Sequence, residues 1–190
     1  MFGFKVVRQQ RTQASENWHE SLLPAMAAVI RPVLYVEIGI YQGTTFRAVA
    51  RHAEKAIGVD INPGCEKFVT GSTTSFICGT SRDVGLHRWI LEETQIDLAF
   101  IDGDHSFESV KEDFLNLVPY LSSHALVCFH DTYPANHNST SPNLCGDAYR
   151  FPEWCQQYDN GAWNAVTFPR HPGLTVVGRS NLTLPWQPLR

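Results

Sequence analysis

Val33-Leu34-Tyr35-Val36-Glu37-Ile38-Gly39-Ile40-Tyr41-Gln42-Gly43-Thr44 is the stretch that decides the fold. Its first six residues, Val33 to Ile38, form a short apolar run closed by a glycine, the pattern of a strand buried on both faces. Pro32 ends the segment before it, and Thr44 to His52 takes up helical spacing after it. A strand that passes through a glycine turn into a helix opens a βαβ unit. Gly39 lets a ligand approach the backbone closely, and Gly43 permits a tight entry into the helix, whose N-terminus favours negative charge.

Working outward, the alternation continues. Ala56 to Asp60 is strand-like, Pro63 to Thr70 a short helix and Ser75 to Cys78 a third strand. Asp83 to Thr94 is helical, and Ile96 to Ile101 is the clearest buried strand. Phe107 to Leu121 is predicted as an amphipathic helix with Val110, Phe114, Leu117 and Leu121 on one face, before a fifth strand from Ala125 to Phe129. Strands and helices in this rhythm give right-handed crossovers and a mostly parallel sheet covered on both faces.

The two ends differ. A helix from about Glu16 to Arg31 has Trp18, Leu22, Met26 and Ile30 one turn apart. At the other end, helix-like Cys145 to Tyr158 precedes Ala162 to Phe168 and Leu174 to Val177. The link between those strands, Pro169 to Gly173, is too short for a crossover helix, so they must pair as an antiparallel hairpin. The expectation is an α/β, doubly wound, mostly parallel sheet of seven strands ending in an antiparallel hairpin. It forms one domain over residues 1–190, with an N-terminal helix at about 16–31, a ligand-binding core at about 33–133, and a C-terminal helix and hairpin at about 145–179.

Composition excludes several classes. The net charge of −4, counting histidines as neutral, with scattered Lys and Arg, gives no reason to expect a nucleic acid partner. No apolar stretch is long enough for a membrane span, and the start MFGFKVVRQQRTQ lacks a signal-peptide core, so a cytoplasmic protein is expected. Five cysteines without a CxxC pair argue against a disulfide framework or structural zinc. The sequons at Asn138 and Asn181 mean little without a secretory signal.

In an open parallel sheet, ligands collect at the carboxyl ends of the strands near the switch in strand order. The first strand ends at Glu37 and Gly39. The second ends at Asp60, placed to accept hydrogen bonds from both hydroxyls of a ribose. A nicotinamide oxidoreductase would need Gly-x-Gly-x-x-Gly, and Tyr41 stands where its middle glycine makes room for the diphosphate. No lysine follows Gly43, so a Walker-type loop is absent too. Ribose recognition without a diphosphate cradle fits a nucleoside-like cofactor such as S-adenosylmethionine.

A second constellation, Asp102, Asp104, His105, His130 and Asp131, lies at two adjacent strand ends. His105 and His130 are candidate general bases, because imidazole titrates near neutrality. Asp104 and His105 are equally placed to cap the helix that starts near Phe107. Phe107, Phe114, Trp89 and Phe100 follow core spacing, while Tyr133, Trp154 and Trp163 are candidates for the acceptor side. The loop from Thr132 to Gly146, rich in Asn, Ser and Pro, is a candidate mobile lid.

Four segments together resemble the class I S-adenosylmethionine-dependent methyltransferases. They are Val36 to Thr45, Gly58-Val59-Asp60, Phe100-Ile101-Asp102-Gly103-Asp104-His105-Ser106-Phe107 and Phe129-His130-Asp131-Thr132-Tyr133. The likeness is greatest to methyltransferase family 24, related to macrolide-sugar O-methyltransferases and cephalosporin-hydroxylase-like proteins, and covers about Val33 to Tyr133. The resemblance implies a Rossmann-like fold. It puts Gly39 under the methionine part of the cofactor, Glu37 near its ammonium, Asp60 on the ribose, Gly79-Thr80-Ser81 along the adenine and Asp102 beside the sulfonium. Tyr41, Gly43 and Ile61 complete the cofactor-binding set.

The same resemblance makes Asp102, His105 and His130 the catalytic candidates for methylation of a hydroxyl on a small-molecule acceptor. Asp102 and Asp131 match two positions of that family's divalent-metal site, and His130, the third candidate ligand, stands where a carboxylate or amide is usual. Magnesium prefers oxygen ligands, and His130 shifts the expectation toward a softer divalent ion or none. A non-catalytic module that keeps the cofactor pocket is the alternative function, and a homo-oligomer is a candidate assembly.

Overall fold

The computed structural model describes residues 17–180. Glu16 and the sequon at Asn181 lie outside them. Among the described residues, seven strands form one sheet in the order β3-β2-β1-β4-β5-β7-β6. The strands are β1 (Leu34–Ile38), β2 (Lys55–Asp60), β3 (Thr74–Cys78), β4 (Ile96–Ile101), β5 (Leu121–His130), β6 (Trp163–Phe168) and β7 (Leu174–Arg179). The pairs from β3 across to β5 are parallel, whereas β7 runs antiparallel to both β5 and β6. The expected hairpin is present, with its second strand inserted between its first and the parallel sheet. Strand order reverses between β1 and β4, so their carboxyl ends open the crevice where ligands bind in such sheets.

The helices are α1 (His19–Ile30), α2 (Thr44–Ala50), α3 (Arg88–Leu91), α4 (Phe107–Leu117) and α5 (Phe151–Gln157). One face of the sheet packs Val110, Phe114 and Leu117 of α4 with Phe151 and Cys155 of α5. The other packs Leu23 and Ala27 of α1 with Phe46 and Val49 of α2. Burying each large apolar side chain contributes about 1.5–3 kcal/mol, so these two layers hold the strand ends in place.

Several expectations change in detail. The most buried face of α1 is His19, Leu23 and Ala27, one residue on from the Trp18, Leu22, Met26, Ile30 stripe, which is only partly buried. The helix expected over Phe107 to Leu121 stops at Leu117, because Pro119 lacks the N–H a helix needs and forms a 3-10 turn with Val118 and Tyr120. The segment Asp83 to Thr94 divides into a 3-10 turn (Ser81–Leu86), an extended His87 and α3. The helix expected from Cys145 to Tyr158 begins only after Gly146, whose φ of 53° is left-handed. No helix of the described residues is long and apolar enough to cross a membrane.

Trp163 and Trp154 are corrected more sharply. Trp163 is buried with its ring 5.0 Å from that of Phe114, and Trp154 packs among Phe107, Phe114, Phe151 and Tyr158. Trp163 belongs to the core and Trp154, on α5, packs partly buried against it; neither lines the cavity described below.

Candidate active site

A cavity of about 1070 Å³ opens at the carboxyl ends of β1, β2 and β4. Glu37, Gly39, Tyr41, Asp60, Ile61, Gly79, Thr80, Ser81 and Asp102 line it; Gly43 does not. Gly39 has a φ of 83°, and a Cβ there would fall 2.3 Å from the Asp102 carbonyl oxygen. Its first duty is therefore to let the segment after β4 cross the end of β1. Gly43, at φ 65°, is likewise held against Phe68.

Asp60 is fixed from both sides. Its Oδ2 accepts the Tyr41 N–H at 3.0 Å and its Oδ1 accepts the Asn62 N–H at 2.9 Å. Tyr41 thus serves the site through its backbone, at a φ of 45°, while its side chain is exposed. Each carboxylate oxygen keeps a further acceptor site for a ribose hydroxyl. Ile61 is 79% exposed beside it, an apolar surface that a flat base would cover.

Glu37 is buried and accepts the Tyr35 hydroxyl hydrogen on Oε2. Burial pushes its carboxyl well above the usual range, with the nearby Asp102 charge adding to this. A cationic group bound beside it would favour the ionised form. In the turn after β3, a Cβ on Gly79 would fall 2.3 Å from Asp83 Oδ2, the atom that accepts the Thr80 N–H at 2.8 Å. The Ser81 hydroxyl is buried, donating to Asp113 Oδ1 at 2.6 Å and accepting from Asn116 Nδ2 at 2.9 Å.

The opposite wall gathers the second constellation. His130 Nδ1 lies 3.0 Å from Asp102 Oδ1 and 3.4 Å from Asp131 Oδ2. Burial opposes the charge on His130, but the two carboxylates overcome it and raise the group to about 10. Burial also opposes the Asp131 charge, and contacts with His130 and His105 hold that carboxyl below its ordinary value. His105 Nδ1 lies 3.3 Å from Asp131 Oδ2 and also meets the Leu144 carbonyl.

Asp104 stands one step from the helix cap. Its Oδ1 accepts the Ser106 N–H at 2.8 Å, Ser106 caps α4 by accepting the Ser109 N–H, and Asp147 Oδ1 accepts the Phe107 N–H. The segment from Thr132 to Gly146 contains a 3-10 turn (His137–Thr140) and the buried Ser139 and Cys145. Just beyond it, the Asp147 and Ala148 N–H groups bond the His105 carbonyl at 3.1 Å each. It buttresses His105 from behind and, like Tyr133, does not line the cavity.

His19 was not foreseen. It reaches the cavity from the first turn of α1, its ring centroid 4.1 Å from that of His130. Burial, then the neighbouring His130, lowers it to about 4. The available signal was the His19-Leu23-Ala27 spacing.

Ligand atoms of Asp102, His105 and Asp131 lie within 4.8 Å of one another. His130, the third ligand expected from the sequence, is not of that group; its Nδ1 lies between the two carboxylates. One imidazole nitrogen with two carboxylates fits a divalent transition ion better than magnesium.

A family model described as a methyltransferase domain matches residues 36–132. Over 47 residues the chain is 43% identical to the uncharacterized protein y4gI of Sinorhizobium fredii, a match that spans 25% of this chain and only 5% of that relative's length. Among solved structures, the O-methyltransferase TomG of Streptomyces achromogenes, involved in tomaymycin synthesis and bound to SAM, superposes with a TM-score of 0.67. That match has 14% identity and covers 87% of this chain and 81% of that one. An O-methyltransferase from Bacillus cereus in complex with SAH gives 0.66 at 13% identity, covering 89% and 83%. The SAH-bound methyltransferase PaMTH1 of Podospora anserina gives 0.65 at 15%, covering 90% and 83%. At such identities these likenesses speak for the fold.

Proposed function

The chain belongs to the methyltransferase-domain family whose model matches residues 36–132, and from that premise we propose that it moves a methyl group from S-adenosylmethionine to a hydroxyl of a small-molecule acceptor. The observation that carries this reading is one cavity with two chemically distinct walls: Asp60 held open for a ribose, and His105 oriented by Asp131 opposite it. The fold shared with O-methyltransferases solved with SAM or SAH supports it. The five free cysteines, four of them buried, accord with a reducing, cytoplasmic setting.

S-adenosylmethionine, when bound, supplies a methyl group already activated by its positive sulfur. The chain's tasks are to align the acceptor and remove its proton. Asp60 takes the ribose hydroxyls, and Glu37 faces the ammonium. His105 is the base: Asp131 and the Leu144 carbonyl engage Nδ1, which leaves Nε2 to accept the acceptor's proton. His130 is protonated near neutrality, so it serves as a fixed cation between Asp102 and Asp131.

A second reading rests on the convergence of Asp102, His105 and Asp131. A divalent ion held there would lower the pKa of the acceptor hydroxyl, and His105 would then be a ligand. Two measurements test these readings. Calorimetry should detect S-adenosylmethionine and S-adenosylhomocysteine, and a folded protein that binds neither sinks the proposal. Label transfer from methyl-labelled cofactor to a small-molecule extract should fall about 10²–10⁴-fold in His105→Asn. Indifference to a chelator would favour the base; loss of transfer restored by a divalent ion would favour the metal. Binding without any transfer would leave the non-catalytic module.

A further inference from the structure

Ser81 looks like a ligand contact by position, but its hydrogen bonds go elsewhere. A hydroxyl has one hydrogen to donate, and that of Ser81 goes to Asp113 Oδ1 at 2.6 Å. One of its lone pairs takes the Asn116 amide at 2.9 Å. Ser81 is 2% exposed, so it acts as a buried bracket that fixes two side chains of α4, both of which line the cavity beside Gly79 and Thr80. The Arg82–Glu112 ion pair ties the same turn to the same helix at the rim.

The bracket leaves a defined set of groups unused. Asp113 Oδ2 lies 3.9 Å from where a Cβ on Gly103 would stand, toward the segment that crosses the cavity floor after β4. Asn116 Nδ2 retains a second N–H. An acceptor and a donor on neighbouring side chains match the edge of adenine, which offers an amino hydrogen next to a ring nitrogen acceptor. We propose that Asp113 and Asn116 read that edge, so that this pocket selects an adenosine cofactor over its inosine counterpart; the proposal rests on the adenosine-cofactor reading above.

The deaminated base reverses both partners. It turns a carbonyl oxygen toward the Asp113 carboxylate and an N–H toward the Asn116 amide hydrogens, so neither pair forms. Sites built to hydrogen-bond a polar group reject a ligand that leaves those groups unpaired far more strongly than apolar pockets reject a change in size. Burial pushes the Asp113 carboxyl up to about 6, against the pull of its Ser81 bond. A partly desolvated acid of this kind gains from a donor.

The test is calorimetric binding of S-adenosylhomocysteine and S-inosylhomocysteine at pH 8. Wild type should prefer the adenosine ligand by about 10²-fold or more. Asp113→Asn, whose amide can turn its N–H toward a carbonyl, should narrow that ratio at least about tenfold. Asn116→Ala leaves Asp113 and its Ser81 contact in place and should narrow it in the same direction; it decides the matter if Asp113→Asn does not fold. A wild-type ratio near unity, or variants that keep the wild-type ratio, overturns the assignment while the cofactor reading stands. If wild type binds neither ligand, the cofactor reading itself fails and takes this one with it.

Discussion

His130 Nδ1 stands 3.0 Å from Asp102 Oδ1, linking the carboxyl end of β5 to the segment just after β4. With Asp131 Oδ2 at 3.4 Å, the imidazole lies between two carboxylates. Its folded value of about 10 lies above the ordinary 6.5, so the folded state holds this proton more tightly than the unfolded chain does. The stability it contributes is fully present below about pH 6.5 and is lost as pH rises through about 10. In chelator-treated protein, urea-unfolding free energies at pH 6, 8 and 10 should show this decline. His130→Gln should lose about 1.5–3 kcal/mol at pH 6 and flatten the slope. A variant whose slope runs parallel to wild type would show that the ion pair does not couple to folding.

Asp60 gives a prediction about affinity. Asp60→Ala should weaken S-adenosylhomocysteine binding by about 1–3 kcal/mol, roughly 5- to 150-fold, because charge-assisted bonds to the ribose are removed. The substitution also frees the Tyr41 and Asn62 N–H groups that Asp60 now accepts. Asp60→Asn keeps one oxygen acceptor and should lose less. Equal affinity in wild type and Asp60→Ala, measured calorimetrically, would mean that the ribose lies elsewhere.

The strands and their closing residues were legible because buried parallel strands read as uninterrupted apolar runs, and because Asp60 and Asp102 stand where those runs stop. The ends of the helices were harder. Val118 continues the apolar spacing of α4, but Pro119 ends it, and Gly146 divides a periodic segment that otherwise runs on to Tyr158. Trp154 and Trp163 were misplaced because an aromatic near a loop reads alike whether it faces a ligand or packs under Phe114. His19, Asp113 and Asn116 were invisible for a different reason. Each gains its role from a partner far along the chain, His130 in the first case and Ser81 in the other two; the His19-Leu23-Ala27 spacing marks His19 as inward-facing, but no local spacing names the partner.

Gly146 separates transfer from binding. It lies outside the cavity at a φ of 53°, where a Cβ would fall 2.2 Å from the His105 carbonyl oxygen. That carbonyl already accepts the Asp147 and Ala148 N–H groups, so an alanine must displace the backbone that carries the His105 ring. A shift of about 1 Å in a reacting group can cost on the order of 10²-fold in rate. Asp60 closes β2, three places along the sheet from β5, and its carboxylate is held by Tyr41 and Asn62. Gly146→Ala should therefore lower kcat for methyl transfer at least about tenfold while S-adenosylhomocysteine affinity stays at the wild-type value, the reverse of the Asp60→Ala pattern. If affinity falls in step with kcat, the substitution has disturbed the fold as a whole. If kcat is unchanged, His105 does not need its buttress, and its assignment as the base loses its main structural support.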